Sequence, residues 1–334
     1  MLNLEREIKK MITDSLLHLY DLPLERELVP INDGFNNTVY TNGDLIFRVS
    51  PSSRRSQLDI MNELAFIKGL WKKGVPVALP VASIRKRMVE TIGEHLFVVA
   101  FEKALGTSID ITNPVIWNKE LFYHWGSLMG KMHSAGKEIK VARPTWTVHQ
   151  PDILNLFPKI SSKPVAEMYS QLLNQLVKFP LTPDLFGLIH NDFHQGNFFV
   201  NEGQITVFDF DDSAYHWFAY DLAVSFYHAF WQATSFTPED NEFSSVFWEN
   251  FIKGYKQEHT LSAELIQQIP IFLKIREIFL YTLFLEKWDI GNIEDWQEYT
   301  LTNLKNNIET GEPYANVNFA EMIDNLSIGK INLK

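Results

Sequence analysis

The sequence of 334 residues contains no cysteine. A disulfide framework, a thiolate zinc site and a cysteine nucleophile are therefore excluded. Long hydrophobic runs are also absent, since the longest apolar stretch, IFLYTLFL at residues 278–285, is far too short to span a bilayer. The first residues, MLNLEREIKKMITDSLLHLY, are interrupted by charges, which argues against a signal peptide. We expect a cytoplasmic protein with no membrane partner.

Positive charge is scarce in this chain. Lys and Arg total 30 against 41 Asp and Glu, and the formal net charge is −11. Affinity for nucleic acid depends on cationic neutralisation of phosphates, so we expect no nucleic-acid partner. Hydrophobic residues make up 46% of the chain, enough for the core of one large or two medium domains. No sequence feature indicates an oligomeric state.

The character of the segments changes near residue 104. Before it, alternation and turn signals predict strands within residues 28–50, at 84–89 and at 95–102, with one helix at 57–73. After it, short strands are predicted at 198–200 and 204–209, and helices at 162–178, 221–235, 242–258, 262–287 and 292–308. The pattern predicts an α+β protein with two domains, residues 1–104 and 105–334.

A cluster of polar residues interrupts the helical part in LIHNDFHQGNFFV, residues 188–200, and VFDFDD follows at 207–212. Phosphoryl transfer needs a carboxylate near the acceptor hydroxyl and hard oxygen ligands for Mg²⁺. Asp192 could accept the proton of the hydroxyl, and Asn197 and Asp209 could share one metal ion. In an extended chain Asp211 would point to the same side as Asp209.

HNDFHQGN, VFDFDD and the following YDLA together resemble the motifs of the aminoglycoside phosphotransferase and choline kinase family, in particular its stress-response-kinase or homoserine-kinase-like branch. The resemblance extends over most of the chain. It implies a two-lobed protein-kinase-like fold, with a small β-rich N-lobe holding one helix and a larger, mostly helical C-lobe. It also implies Asp192 as catalytic base, Asn197 and Asp209 as Mg²⁺ ligands, and Asp221 as an anchor of the catalytic loop.

The same resemblance assigns nucleotide contacts, with ATP and Mg²⁺ as the implied cofactors. Arg48 in LIFRV stands where the family holds the α- and β-phosphates, and Glu63 would pair with it. His194 could donate to a phosphate oxygen. The other expected contacts are with Gly34, Asn36 and Asn37 in the covering hairpin NDGFNNTVY, and with Glu102 to Ala104 at the adenine edge.

The interval from Asp209 to Asp221 is short, which leaves little room for a platform that binds a peptide. This favours a small-molecule hydroxyl acceptor, such as an amino alcohol, an aminoglycoside, or a choline- or homoserine-like compound. The expected acceptor residues are Asp211, Asp212, Tyr215 and Trp217. A ring beside carboxylates would suit a cationic acceptor, although packing in the core explains Tyr215 and Trp217 equally well.

Three alternatives remain open at this stage. The chain could phosphorylate protein Ser or Thr on the same fold, or bind nucleotide as a non-catalytic pseudokinase. The alternating His190, Asp192 and His194 also suit a metal-dependent hydrolase or an oxygenase with two histidines and one carboxylate. Asp192, Asn197 and Asp209 favour a kinase over the pseudokinase and over the hydrolase or oxygenase, and the short interval after Asp209 favours a small-molecule acceptor over a protein.

Overall fold

The computed structural model describes residues 2–23, 27–31, 37–159, 162–236, 242–315 and 317–321. Two compact units are present: Met1–Leu105 with Thr206–Asp211, and Gly106–Ile205 with Asp212–Lys334. We call them the strand unit and the helical unit. The expectation that residues 1–104 bind nucleotide and residues 105–334 carry catalysis stays a prediction.

The strand unit consists of an antiparallel sheet and two helices. Its strands lie in the order β1-β2-β3-β6-β4, with β5 also paired to β6. The bounds are α1 Leu2–Leu19, β1 Val29–Ile31, β2 Thr38–Thr41, β3 Leu45–Pro51, α2 Gln57–Lys72, β4 Pro80–Val81, β5 Glu90–Ile92 and β6 Leu96–Glu102.

The centre of this sheet is the pair β3 and β6, aligned from Leu45 opposite Glu102 to Pro51 opposite Leu96. Apolar residues of α1 and of these strands form one buried cluster, which includes Leu16, Phe47 and Val98. Helix α2 begins at a capping box, in which Ser56 and Asp59 each satisfy the other's backbone N–H. Glu63, in the middle of α2, is fully buried.

The helical unit packs its helices closely. In α3 and α7, a Cβ added to Gly126 would lie 1.8 Å from the Phe251 carbonyl oxygen, so the two backbones nearly touch there. The bounds are α3 Lys119–Gly136, α4 Gln150–Leu156, α5 Lys163–Leu176, β7 Phe186–Ile189, β8 Phe198–Asn201, β9 Gln204–Val207, β10 Ala214–Trp217, α6 Phe218–Phe236, α7 Glu242–Glu258, α8 Ala263–Lys287 and α9 Asp295–Thr310. Strand β7 pairs with β10 in antiparallel fashion, and β8 pairs with β9.

Two local predictions are wrong. Residues 84–89 form turns rather than a strand, because Lys86 has φ of +60° and the Ser83 hydroxyl accepts from the Arg85 N–H at 3.1 Å. Strand β9 ends at Val207, short of the predicted 209, and Asp209 has φ of +62°. The chain is therefore not extended there, and the expected alternation of Asp209 with Asp211 does not apply.

Across the described ranges, no helix combines the length and the apolar character that crossing a membrane requires.

Candidate active site

The loop after β7 is held by a buried carboxylate of α6. Asp221 accepts hydrogen bonds from the backbone N–H groups of His190 at 3.0 Å and Asn191 at 2.7 Å. His133 of α3 lies 3.2 Å from the same carboxylate through Nε2. Asn191 has φ of +73°, a left-handed conformation that Asn adopts more readily than most residues and that the two bonds stabilise. The expected anchoring role of Asp221 is confirmed.

Three side chains contact the two carboxylate oxygens of Asp192. Arg276 of α8 donates from Nη2 to Oδ1 at 2.6 Å. Asn197 donates from Nδ2 to Oδ2 at 3.2 Å, and Nε2 of His194 lies 3.4 Å from the same oxygen. The Asp192 side chain is nevertheless 26% exposed, so a small molecule can reach it. The carboxylate is both oriented and accessible.

The charge of Asp192 follows from these contacts. Burial raises the pKa of the carboxyl, but the positive guanidinium of Arg276, together with His194, opposes this and holds the pKa well below its usual value. Asp192 is thus ionised at neutral pH. A carboxylate in this state accepts a hydrogen bond from a hydroxyl group.

The amide of Asn197 is oriented by the same loop. Its Nδ2 donates to the Asp192 backbone oxygen at 2.8 Å as well as to Oδ2, so both amide hydrogens are directed at Asp192. The amide oxygen Oδ1 is then the ligand atom that Asn197 offers, and an amide oxygen suits Mg²⁺. Asn197 belongs to the helical unit, whereas Asp209, the second predicted ligand, belongs to the strand unit.

The tautomer of His194 can be assigned from its neighbours. Nδ1 accepts a hydrogen bond from the Gly196 N–H at 3.0 Å, so a neutral ring carries its proton on Nε2. This proton faces Asp192 Oδ2. The expected contact of His194 with a nucleotide phosphate stays a prediction.

Arg276 and His228 are two residues of this site that the sequence interpretation missed. Nη2 of Arg276 lies 2.7 Å from His228 Nε2, and Nε lies 3.2 Å from the same atom. Burial, followed by the electrostatic interactions with His194 and Arg276, lowers the pKa of His228 well below its usual value, so the neutral ring accepts from Arg276. A possible signal was Arg276 itself, which with Lys274 and Glu277 interrupts the otherwise mostly apolar segment 271–285.

The histidines bear on the alternative of a metal hydrolase. Among the described residues, the ligand atoms of Asp192, His194 and His228 lie within 4.8 Å of one another. However, the guanidinium of Arg276 contacts both Asp192 and His228, and a metal cation would have to displace it. His190 is buried, and its Nδ1 accepts from the Asp192 N–H at 3.3 Å. The predicted set of His190, Asp192 and His194 is not assembled.

The strand unit contains a second charged cluster. Arg48 of β3 donates from both terminal nitrogens to the two carboxylate oxygens of Glu63 in α2, each at 2.8 Å, so the predicted pair is present. Asp211 is contacted by three guanidinium groups, from Arg54 at 2.7 Å, Arg55 at 3.0 Å and Arg48 at 3.5 Å. Arg54 and Arg55, adjacent in SSRRSQ before α2, were not identified from the sequence.

Charge stabilises both partners in this cluster. Burial lowers the pKa of Arg48, but Glu63, Asp211 and Asp209 outweigh burial and raise it. Burial raises the pKa of Asp211, but the three arginines bring it well below its usual range. Arg48 and Asp211 are therefore both ionised at neutral pH.

Asn37 also joins this cluster, since it donates to Asp211 at 3.2 Å and accepts from Arg54 at 3.0 Å. Gly34 and Asn36, predicted to contact phosphates, lie outside the described residues.

The remaining predicted positions differ in exposure. The backbone N–H groups of Glu102 and Lys103 donate to the carbonyls of Leu79 and Asp44, respectively. Asp212 is half-buried. The Tyr215 hydroxyl donates to the Val141 carbonyl at 2.9 Å.

Trp217 is 1% exposed and packs against several rings, among them Phe272 and Phe186. Its indole N–H donates to the Pro180 carbonyl at 3.0 Å. This environment favours the core role that the sequence left open for Trp217.

Comparison with known proteins places this geometry in a family. Residues 27–257 match the profile of the phosphotransferase enzyme family that includes aminoglycoside phosphotransferases. The chain belongs to this phosphotransferase family. This chain is 30% identical over 291 residues to amicoumacin kinase of Bacillus subtilis (strain 168), and the alignment covers 84% of this chain and 86% of the relative. The protein described here transfers a phosphoryl group from ATP to a small molecule, as predicted. The alternatives of a protein kinase, a pseudokinase and a metal hydrolase are not favoured.

Solved structures agree with the assignment. An amicoumacin kinase in complex with AMP-PNP, Ca²⁺ and Ami superposes with a TM-score of 0.86 at 29% identity, covering 95% of this chain and 99% of that one. A microcompartment-associated aminopropanol kinase superposes with a TM-score of 0.71 at 21% identity, covering 90% and 95%. The second likeness shows the fold alone. The predicted α+β kinase-like fold is confirmed.

Proposed function

We propose that this kinase uses ATP and Mg²⁺ to phosphorylate a hydroxyl group of amicoumacin or of a compound that closely resembles it. One observation carries the proposal: an ionised, oriented and accessible Asp192 lies in a chain similar to amicoumacin kinases over most of its length. The proposed acceptor replaces the broader expectation of homoserine- or choline-like alcohols. ATP is supplied in the cytoplasm, where we propose that the kinase acts.

Asp192 would receive the acceptor hydroxyl. The carboxylate accepts the hydroxyl hydrogen bond, turns a lone pair of the hydroxyl oxygen toward the γ-phosphorus, and takes the proton as the new P–O bond forms and the bond to ADP breaks. Because such transition states are loose, orientation contributes more than base strength, so a low pKa is compatible with this role. Tyr215, Asp211 and Asp212 remain candidates for further acceptor contacts.

Arg48 would bind the nucleotide phosphates, because its guanidinium is always charged and Glu63 fixes its direction. The amide oxygen of Asn197 and the carboxylate of Asp209 would hold Mg²⁺, which when bound neutralises charge on the phosphate oxygens. Both are hard oxygen donors, so the available donor set fits the metal. Around Glu102 to Ala104, an adenine would meet backbone carbonyls or the Ala104 N–H.

An acceptor panel tests the proposal. The purified kinase would receive ATP, Mg²⁺ and, one at a time, amicoumacin, aminopropanol, choline, homoserine, kanamycin and spectinomycin. We expect kcat/KM for amicoumacin to exceed that for every other acceptor by about 100-fold, because buried polar groups of a site discriminate strongly against ligands that leave them unpaired. Phosphorus NMR would confirm a phosphate ester in the product.

Two controls sharpen this experiment. Removal of divalent metal with EDTA should abolish transfer, and added Mg²⁺ should restore it. Asp192→Ala should show no product with any acceptor. Preference for another acceptor of the panel would overturn the proposed substrate while leaving the kinase assignment intact.

A further inference from the structure

We infer that Arg276 is a positioning residue for phosphoryl transfer, which acts by fixing the Asp192 carboxylate in one orientation. The inference rests on the proposed function, in which Asp192 receives the acceptor hydroxyl. It concerns a side chain of α8, separated from Asp192 by 84 positions in the sequence. The arrangement of donors around Arg276 carries the argument.

Arg276 is fixed from several directions. It is 4% exposed, so its rotamers are restricted by packing. Nη2 contacts Asp192 at 2.6 Å and His228 at 2.7 Å, and the guanidinium lies 5.0 Å from the ring centroid of Phe279. Tyr220 is a further polar neighbour of this guanidinium. Because a buried charge without partners is strongly disfavoured, these contacts leave Arg276 a single favourable position.

His228 extends the network to the opposite side of Asp192. Its neutral ring accepts from Arg276 and stacks on His194 with ring centroids 4.4 Å apart. His194 in turn faces Asp192 Oδ2. Arg276 therefore holds Oδ1 of the carboxylate, and His194 and Asn197 hold Oδ2. His228 connects the two sets of contacts, because it bonds to Arg276 and stacks on His194.

These contacts determine from which direction an acceptor hydroxyl can approach the Asp192 carboxylate. Each carboxylate oxygen has two lone-pair directions. Among the described residues, His194 and Asn197 both face Oδ2, whereas Arg276 alone contacts Oδ1, which leaves a lone pair of Oδ1 for the hydroxyl. Rotation of the carboxylate would change the line from the bound hydroxyl to the phosphorus, and a misplacement of about 1 Å can lower a rate about 100-fold. Arg276 prevents this rotation without contacting the reacting atoms itself.

Arg276→Ala is the first test. We expect kcat to fall about 100-fold, with the KM for ATP within about 3-fold of wild type, because the side chain orients Asp192 and does not bind nucleotide. Millimolar guanidinium chloride should then raise kcat of the variant at least 10-fold, because a free guanidinium ion fits the vacated space. Sodium chloride at equal ionic strength should not. Arg276→Lys should retain intermediate activity.

Other results would overturn the inference. They are a kcat for Arg276→Ala within about 3-fold of wild type, or a folded variant whose loss is not restored by guanidinium. Circular dichroism and thermal melting would establish that the variant is folded. Guanidinium should leave wild type and Asp192→Asn unaffected, since neither has both the vacated space and the carboxylate.

Lys274→Met provides a matched control on the same helix. Lys274 is also a buried cation, and its Nζ donates to the carbonyls of Asn307 at 3.0 Å and Glu312. Its removal should lower the melting temperature but leave kcat of the folded protein within about 3-fold of wild type, with no response to guanidinium. An equal, guanidinium-responsive loss in Lys274→Met would show that any buried cation of α8 has the same effect.

A measurement without substrate separates this inference from the proposed function. In wild type, Arg276→Met should lower the urea midpoint of unfolding more than it does in an Asp192→Asn background, because the pair is already broken there. Equal shifts in the two backgrounds would refute the pairing whatever the activity. If wild type phosphorylated no acceptor but the two shifts of the urea midpoint were unequal, the proposed function would fail. The interaction of Arg276 with Asp192 would still be supported.

Discussion

The two charged clusters of this kinase hold a carboxylate in different ways. In the strand unit, three arginines converge on Asp211, and Glu63 compensates one of them. In the helical unit, Asp192 has one arginine, and its other contacts are an amide and an imidazole. The first cluster brings three guanidinium groups together, and guanidinium groups suit binding of phosphate oxygens such as those of a nucleotide. The second has directional donors, which suit orientation of a reacting group.

The two clusters should therefore affect different quantities, the first the affinity for nucleotide and the second the orientation of the Asp192 carboxylate. Several guanidinium groups close together attract phosphates from many directions, so an individual contact of Arg54 or Arg55 matters less than the sum. An oriented carboxylate depends on each donor, because the loss of one frees a rotation. Substitutions in the strand unit should therefore act mainly on nucleotide affinity and stability, whereas those around Asp192 should act mainly on kcat.

Asp192→Asn should have the largest effect. We expect kcat to fall about 10³-fold, since an amide cannot take the hydroxyl proton and general-base removal has effects of this order. Nucleotide affinity, measured by calorimetry with a non-hydrolysable analogue, should stay near that of wild type. If the variant kept near wild-type transfer, the assignment of Asp192 as base would be wrong.

Glu63→Ala tests the strand unit next. Arg48 would lose its bidentate partner while buried, which should lower the free energy of unfolding by about 3 kcal/mol. The KM for ATP should rise, because the guanidinium is no longer directed. Urea unfolding measures the first effect and initial rates the second. Glu120→Ala is the control, since that side chain is 80% exposed and should change neither quantity.

Asp211→Asn should sharpen the contrast with Asp192→Asn. Three guanidinium groups would face one another without the carboxylate, which should lower the free energy of unfolding by about 2 kcal/mol, because Arg54 and Arg55 are partly exposed and can relax. We expect a smaller loss of kcat than in Asp192→Asn. A loss of kcat as large as that of Asp192→Asn would show that Asp211 takes part in the chemistry.

Acid should weaken the two units at different pH. Burial lowers the pKa of His216, in the helical unit, from 6.5 to about 3. As pH falls from 7 to 5 the unfolded chain binds a proton there that the folded chain does not. This lowers the free energy of unfolding by roughly 2 kcal/mol. The pKa of Asp211, in the strand unit, is lowered in the folded state, so ionised Asp211 stabilises the fold above the usual carboxyl pKa. This stabilisation is lost only at more acidic pH.

His216→Gln checks the first half of this prediction. Urea unfolding at pH 7 and pH 5 should show a smaller pH dependence in the variant than in wild type, whatever its absolute stability. The remaining dependence would come from other buried histidines with a lowered pKa, namely His133, His228 and His259. An unchanged pH dependence would contradict a neutral His216 in the folded state.

Much of the local structure was predictable. The helix predicted at 242–258 matches α7, and that at 262–287 differs from α8 by one residue, because apolar periodicity and capping residues mark such elements. The turn at 84–89 and the end of β9 were not, since positive φ at Lys86 and Asp209 is uncommon and leaves no pattern in the sequence. Likewise the burial of Trp217 depends on distant rings rather than on its neighbours.

The sequence by itself determined the chemical parts of this kinase. The spacing of Asp192, Asn197, Asp209 and Asp221 indicated the family, and Arg48 with Glu63 indicated the ion pair, because these groups lie in short motifs or at fixed positions of regular elements. Only the tertiary structure decided which side chains surround the carboxylates. Arg276 reaches Asp192 from α8, His228 of α6 contacts Arg276, and Arg54 and Arg55 reach Asp211. Such contacts depend on how elements far apart in sequence pack, and periodicity within one element carries no information about them.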